Sequence, residues 1–227
     1  MTGGVKLIKI CEDLHKGRSC SRDEVTSPLP KGESLHPVII GITGASGAVL
    51  AKRCIESLLE RSVDTIVVCT PAGQMVWKHE LEENYRSWIR TTACKQYGIQ
   101  DVGAPIASGT VPIAGMAIIP CSMDTLGAVA NGLSGNLLER AADVTIKESR
   151  PLIIVPREAP LSVIHLTNLL TLARLGVKIM PPMPPFYAKP KSIEDIVEHI
   201  VARVLVALGI EPSLPYNQRY GEGIDAI

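Results

Sequence analysis

Four stretches of the chain, VIIGIT (38–43), TIVVC (65–69), GMAIIPC (115–121) and LIIVPRE (152–158), are apolar through their centres. They lack the polar residue at every second position that a strand with one wet face requires, so each must be covered on both sides. The segments between them have helical spacing. ASGAVLAKRCIESLLER brings Val49, Leu50, Ile55, Leu58 and Leu59 to one side, and AGQMVWKHELEE follows the second run. Doubly covered strands alternating with helices predict a parallel sheet in the α/β class, with helices on both faces.

The closing segment carries the clearest helix pattern. Ser192 stands where a cap belongs, with Asp195 three residues on. Ile193, Ile196, Val197, Ile200, Val201, Val204, Leu205 and Leu208 then form a one-sided stripe. Arg203 borders that stripe next to Ile196 and Ile200. From there it either snorkels to water or points into a cleft at the sheet edge.

With 227 residues, 46% hydrophobic and 20% charged, the chain can bury a full core. Lys and Arg balance Asp and Glu at 23 each, which removes the footprint of a dedicated nucleic-acid or anionic-membrane binder. No apolar run approaches the roughly 18 residues of a membrane span. Glu12 and Asp13 interrupt the start where a secretory signal needs an apolar centre, so a cytoplasmic setting is expected. The six cysteines (Cys11, Cys20, Cys54, Cys69, Cys94 and Cys121) include no Cys-x-x-Cys pair. They read as small hydrophobes rather than as a disulfide or zinc framework, and no metal site is expected. Residues 1–36 end in SPLPKGESLHP and read as an arm, either an extension lying on a neighbouring subunit or a tail. Residues 37–210 form the single α/β domain, and 211–227 a C-terminal tail.

The sharpest local motif is Gly41-Ile42-Thr43-Gly44-Ala45-Ser46-Gly47-Ala48, between the first strand and its helix. Glycines there let the backbone turn and approach a ligand, and the helix N-terminus offers N–H groups to a phosphate. The alternative is that small residues pack helix against strand. No Gly-Lys-Ser/Thr follows, so this is not a P-loop, and no further glycine completes a dinucleotide fingerprint. A mononucleotide such as FMN fits better than NAD(P). Pro190 disrupts the Tyr187-to-Lys191 spacing that would otherwise suggest a short-chain dehydrogenase.

Three more clusters carry polar chemistry. Pro120-Cys121-Ser122-Met123-Asp124-Thr125-Leu126 lies at the end of the third strand, where its hydroxyls serve either a ligand or an ordinary helix cap. Arg140, Lys147, Arg157 and Glu158 surround the fourth strand, and Arg157-Glu158 emerges at its carboxyl end, the ligand side of an open sheet. Nearby Arg150 reads as a surface ion pair. Pro181-Pro182-Met183-Pro184-Pro185-Phe186-Tyr187 is a stiff segment in which the aromatics are either an apolar ligand wall or, for Phe186, a core anchor. His165 is expected to bond on its own helix, and Trp77 and Trp88 to anchor theirs.

Taken together, GITGASGA, PCSMDTL, NLLERAADVTIKESRPLIIVPREAPLSVIHL and MPPMPPFY, in that order, resemble the UbiX-type flavin prenyltransferases, relatives of the flavin-dependent cysteine decarboxylases. The resemblance covers about Pro37 to Ile210. It implies a Rossmann-like (flavodoxin-like) fold, FMN and a dodecamer with sites between subunits. It also implies metal-independent transfer of a dimethylallyl group from dimethylallyl phosphate to reduced FMN, the product serving a UbiD-type decarboxylase. By resemblance, Gly44, Ala45, Ser46, Thr70, Ser122, Met123, Asp124, Thr125 and Arg157 contact FMN. Arg140, Lys147, Tyr187 and Arg203 hold the prenyl phosphate. Glu158, Glu80, Lys147 and Ser46 take part in catalysis. Val102-Gly103 precedes Ala104-Pro105-Ile106-Ala107-Ser108-Gly109 where relatives often carry an aromatic residue, and Tyr220 stands where tryptophan is common.

The resemblance also fits the chemistry. Breaking the carbon–oxygen bond of an allylic phosphate puts charge on the departing phosphate, which cations and a tyrosine hydroxyl stabilise. A desolvated carboxylate such as Glu158 suits a proton shuttle at the flavin. Cysteine decarboxylation is disfavoured because PCSMDTL replaces that branch's Pro-Ala-Ser-Ala-Asn-Thr. An FMN carrier subunit without transferase activity is the remaining alternative.

Overall fold

The computed structural model describes residues 36–212. Residues 1–35 and 213–227, which hold most of the arm expected over 1–36 and of the tail expected over 211–227, Tyr220 included, lie outside the described residues.

Six parallel strands form one sheet: β1 (Val38–Ile42), β2 (Thr65–Cys69), β3 (Lys95–Tyr97), β4 (Gly115–Cys121), β5 (Leu152–Pro156) and β6 (Lys178–Ile179). Their spatial order is β3-β2-β1-β4-β5-β6. That is the doubly wound Rossmann order. Without the three-residue edge strand β3, the remaining five follow the flavodoxin order 2-1-3-4-5. Every residue of β1, β2, β4 and β5 is buried, as their unbroken apolar runs require. By contrast, β3 is short, with Lys95 and Gln96 exposed and only Tyr97 half-buried, so no apolar run marks it in the sequence.

Among the described residues, seven helices cover the sheet: α1 (Ala48–Leu59), α2 (Pro71–Leu81), α3 (Tyr85–Thr91), α4 (Met123–Ala130), α5 (Leu137–Lys147), α6 (Val163–Arg174) and α7 (Ile193–Ala207). Alternate strand residues separate two cores. Val38, Ile40, Ile42, Val67 and Ile119 pack with α1, α2, α3 and α7, while Ile39, Val68, Met116 and Ile118 pack with α4, α5 and α6. Each fully buried isoleucine contributes about 1.5–3 kcal/mol. Trp77 is buried against Tyr85 and Trp88, with ring centroids 5.4 and 4.7 Å away, and so anchors α2 to α3.

In α7 the Ser192 hydroxyl accepts from Asp195 N and the Asp195 carboxylate accepts from Ser192 N, closing the capping box. The stripe Val197, Ile200, Val201, Val204, Leu205 and Leu208 is buried. Ile193 departs from it and is 70% exposed, at the first helical position. His165 behaves as expected: its Nδ1 accepts from Ser162 N at the start of α6. Helix α6 otherwise buries only Leu172, leaving Val163, Ile164, Leu166 and Leu170 exposed. Phe186 is exposed too, so it is no core anchor.

Candidate active site

Strand order reverses between β1 and β4. From there β1 feeds α1 on one face and β4 feeds α4 on the other, which opens a crevice at the carboxyl edge of the sheet. Three helix N-termini, of α1, α2 and α4, open at this edge directly after β1, β2 and β4.

The β1–α1 turn needs its small residues. A β-carbon on Gly44 would lie 2.6 Å from Ala72 Cβ, because α2 crosses that closely. Gly47 stands at φ 119° in the left-handed region that glycine adopts freely, and it supplies no side-chain cap. The cap comes from α2 instead. The Glu80 carboxylate accepts from Gly47 N at 3.0 Å and from Ala48 N at 2.8 Å. Burial pushes the Glu80 carboxyl upward, but bonds from the Ser46 hydroxyl and from Gly47 and Ala48 N–H, with the nearby Arg157 charge, outweigh it. The net direction is below the usual carboxylate range. The expectation that the α1 terminus presents open N–H groups to a phosphate is thereby corrected, since a carboxylate of the same chain already satisfies two of them.

Around this centre stand the other residues singled out for the cofactor. Thr70 caps α2, its side chain accepting from Gly73 N at 3.0 Å. Ser122 caps α4, accepting from Thr125 N at 3.4 Å and donating to Thr125 Oγ1 at 3.2 Å. Met123 and Asp124 form the first turn of α4. Arg157 N donates to Cys121 O at 3.1 Å, which seats the end of β5 beside β4. Glu158 follows, exposed, its carboxylate accepting from Ala159 N at 3.0 Å. Gly44, Ala45, Ser46, Thr70, Glu80, Ser122–Thr125, Arg157 and Glu158 therefore share one edge of the sheet.

The residues expected at the prenyl phosphate do not gather in one chain. Arg140 and Lys147, on α5, line an open cleft of about 460 Å³ together with Ser108, Gly109 and Thr110. Arg140 donates to Ala107 O at 3.2 Å and pairs with Asp143 at 2.7 Å, and Lys147 pairs with Glu148 at 3.0 Å. Tyr187 follows β6 and Arg203 lies on α7, on the opposite face of the sheet from α5. The Tyr187 ring meets His199 edge-on at 6.0 Å, its hydroxyl 3.5 Å from His199 Nε2. Burial, then the Arg203 charge, lowers the pKa of His199.

Sequence reasoning gave no individual role to four contributors. Ser108 and Gly109 enter the cleft from a 3₁₀ turn at Pro105–Ala107, and only their smallness signals it. His199 sits one turn before Arg203 on the same helix. Thr43, between Ile42 and Gly44, is only 1% exposed. Arg150 is not a surface ion pair: it donates to Gly109 O and Val111 O, both at 2.8 Å, and fastens the loop that lines the cleft. Among the described residues, Cys54, Cys69 and Cys121 are unsuited to nucleophilic attack. Burial pushes the Cys54 and Cys69 thiols up to about 12 and Cys121 higher still. Among the described residues no group of His, Cys, Asp or Glu is arranged to hold a metal ion, and no helix is long and apolar enough to cross a membrane.

An open, doubly wound sheet with helix N-termini rimming its switch-point crevice defines a nucleotide-binding α/β protein of Rossmann type. Similarity sharpens that class. The model of the Flavoprotein family matches residues 26–205. The flavin prenyltransferase UbiX of Methanocaldococcus jannaschii is 44% identical over 177 residues, 78% of this chain and 95% of the relative. Among solved structures, a dodecameric FMN-dependent UbiX-like decarboxylase from Escherichia coli O157:H7 is 42% identical. It superposes with a TM-score of 0.76, covering 81% of this chain and 98% of its own. AnUbiX in complex with FMN and dimethylallyl pyrophosphate is 38% identical with a TM-score of 0.76, covering 78% and 94%. The chain belongs to the flavoprotein family, in its UbiX-type branch of flavin prenyltransferases.

Proposed function

We propose that this protein transfers a dimethylallyl group from dimethylallyl phosphate to reduced FMN, and that the prenylated flavin serves a UbiD-type decarboxylase. The observation that carries the reading is the crevice at the sheet edge. It assembles the hydroxyls of Ser46, Thr70, Ser122 and Thr125 and the Arg157 cation around two close backbone turns, on a chain 44% identical to a flavin prenyltransferase. A mononucleotide fits this rim: its hydroxyls and the Arg157 cation suit a phosphate and the polar edge of a flavin ring.

Bound there in its reduced form, FMN supplies the nucleophile. The chain supplies the rest. Arg140 and Lys147 neutralise the phosphate as its carbon–oxygen bond breaks, the Tyr187 hydroxyl and Arg203 hold the same group, and Glu158 carries a proton at the flavin. Ser46 and Glu80 keep the β1–α1 turn in place beside it.

Arg140 and Lys147 stand on the face of the sheet opposite Arg203, so a phosphate held by all of them is completed by a second copy of the chain. A homo-oligomer follows, and a dodecamer like that of the Escherichia coli relative is the assembly we favour. The apolar exposed residues of α6 support such self-association. Free cysteines at positions 54, 69, 94 and 121 accord with a reducing, cytoplasmic setting.

Anaerobic incubation with reduced FMN and dimethylallyl phosphate, followed by mass analysis of the flavin, tests the reaction. A mass increase of one dimethylallyl group is expected. Unchanged flavin that stays bound would leave an FMN carrier instead.

A further inference from the structure

The backbone ladder between β1 and β4 ends before the crevice begins. Its last paired residues are Gly41 and Ile118, whereas β4 continues to Cys121. On its other side β4 is still held there, because Cys121 pairs with Pro156 and accepts from Arg157 N at 3.1 Å. Toward β2, β1 is likewise held to its end by Thr70 N donating to Ile42 O at 2.9 Å.

Thr43 spans the gap. Its Oγ1 donates to Pro120 O at 2.8 Å and accepts from Ser122 N at 2.8 Å, and the residue is 1% exposed. Those two partners flank Cys121. A residue in a parallel ladder bonds in the same way to the groups on either side of its opposite number, so a single hydroxyl does here what the backbone amide and carbonyl do further back. The main chains diverge because α1 and α4 lie on opposite faces of the sheet, and only a side chain can follow both.

We propose that Thr43 is a positioning residue. Its hydroxyl acts as the final rung between β1 and β4 and sets the spacing of the Gly44–Ser46 and Ser122–Thr125 loops that grip the flavin. The inference rests on the FMN reading of the crevice. Without the hydroxyl, Pro120 O and Ser122 N lose a buried partner, and the loops separate or shift until water reaches them. Valine matches threonine in shape but not in this bonding, whereas serine keeps the hydroxyl.

The test compares the unaltered full chain with Thr43→Val and Thr43→Ser. FMN affinity is read by flavin fluorescence, and turnover with reduced FMN and dimethylallyl phosphate is measured alongside. Thr43→Val is expected to weaken FMN binding by about tenfold or more, roughly the effect of one buried hydrogen bond. It should raise KM for the flavin with little change in KM for the donor, and Thr43→Ser is expected to stay within about threefold of the unaltered protein. Unchanged flavin affinity in Thr43→Val, or a serine variant as weak as the valine one, would overturn the proposal. Should Thr43→Val fail to fold, hydrogen exchange on the unaltered protein decides. A Ser122 amide protected both with and without FMN supports the rung, and one exchanging like an open loop amide refutes it. If the unaltered chain binds no FMN at all, it is the flavin assignment that falls.

Discussion

The Glu80 carboxylate caps α1 from a different helix, accepting from Gly47 N at 3.0 Å and from Ala48 N at 2.8 Å. It ties the start of α1 to the end of α2 across the β1–α1 turn. A negative group at a helix N-terminus is worth about 0.5–2 kcal/mol. Glu80→Ala should therefore lower unfolding stability by about 1 kcal/mol in urea titrations, and Glu80→Gln by less, since an amide oxygen still accepts.

The same contact sets an acid limit. Folding lowers the Glu80 carboxyl below its ordinary 4.5, so the folded state binds its proton less readily than the unfolded chain does. Its contribution is fully present above that ordinary value and is lost as pH falls through the folded one. The stability difference between the unaltered protein and Glu80→Gln should accordingly be flat near neutrality and shrink below about pH 4.5. A difference that grew on acidification would contradict the cap.

Glu158 emerges at the end of β5, where its carboxylate accepts from Ala159 N. Glu158→Gln keeps that bond and removes the proton carrier. We expect normal FMN retention and prenyl transfer slowed about 100-fold, in the range of lost general acid–base catalysis. Loss of FMN from this variant would assign Glu158 to cofactor binding.

Lys147 and Arg203 lie on helices covering opposite faces of the sheet. Each alanine variant alone should raise KM for dimethylallyl phosphate about tenfold or more while FMN affinity holds, as expected for one charge-assisted contact to phosphate. Oligomers co-assembled from equal amounts of the two variants should regain about one quarter of full activity, because half of the sites draw an intact Lys147 and half of those an intact Arg203. No recovery at all would place both residues in the same chain's site.

Arg150 holds the loop lining the Arg140–Lys147 cleft through Gly109 O and Val111 O. Arg150→Met should cost about 2–3 kcal/mol in thermal unfolding, the loss of two bonds from a charged donor. It should also weaken the prenyl donor without touching FMN. A donor KM left unchanged would show that the loop plays no part in holding the phosphate.

Much of this was legible in the sequence because burial on both faces leaves a mark that needs no partner to interpret. Val38–Ile42 and Leu152–Pro156 are apolar at successive positions, and only a covered parallel strand explains that. The cap of α7 was equally readable, since Ser192 and Asp195 are neighbours in the chain. Bonds between distant residues were not. Glu80 meets Gly47 across 33 residues and Thr43 meets Ser122 across 79, and nothing in the local spelling of either segment records the meeting. The edge strand β3 leaves no apolar run because only Tyr97 of KQY packs on the core, while Lys95 and Gln96 are exposed at the rim.

Helix α6 turns Val163, Ile164, Leu166 and Leu170 outward and buries only Leu172. A helix so oily on its wet side is ill-suited to solitary life: diluted to single copies, the molecule would seek any greasy surface within reach. The association we propose for completing the phosphate site would thus also shield the fold from clumping, so dilution should cost solubility as well as turnover.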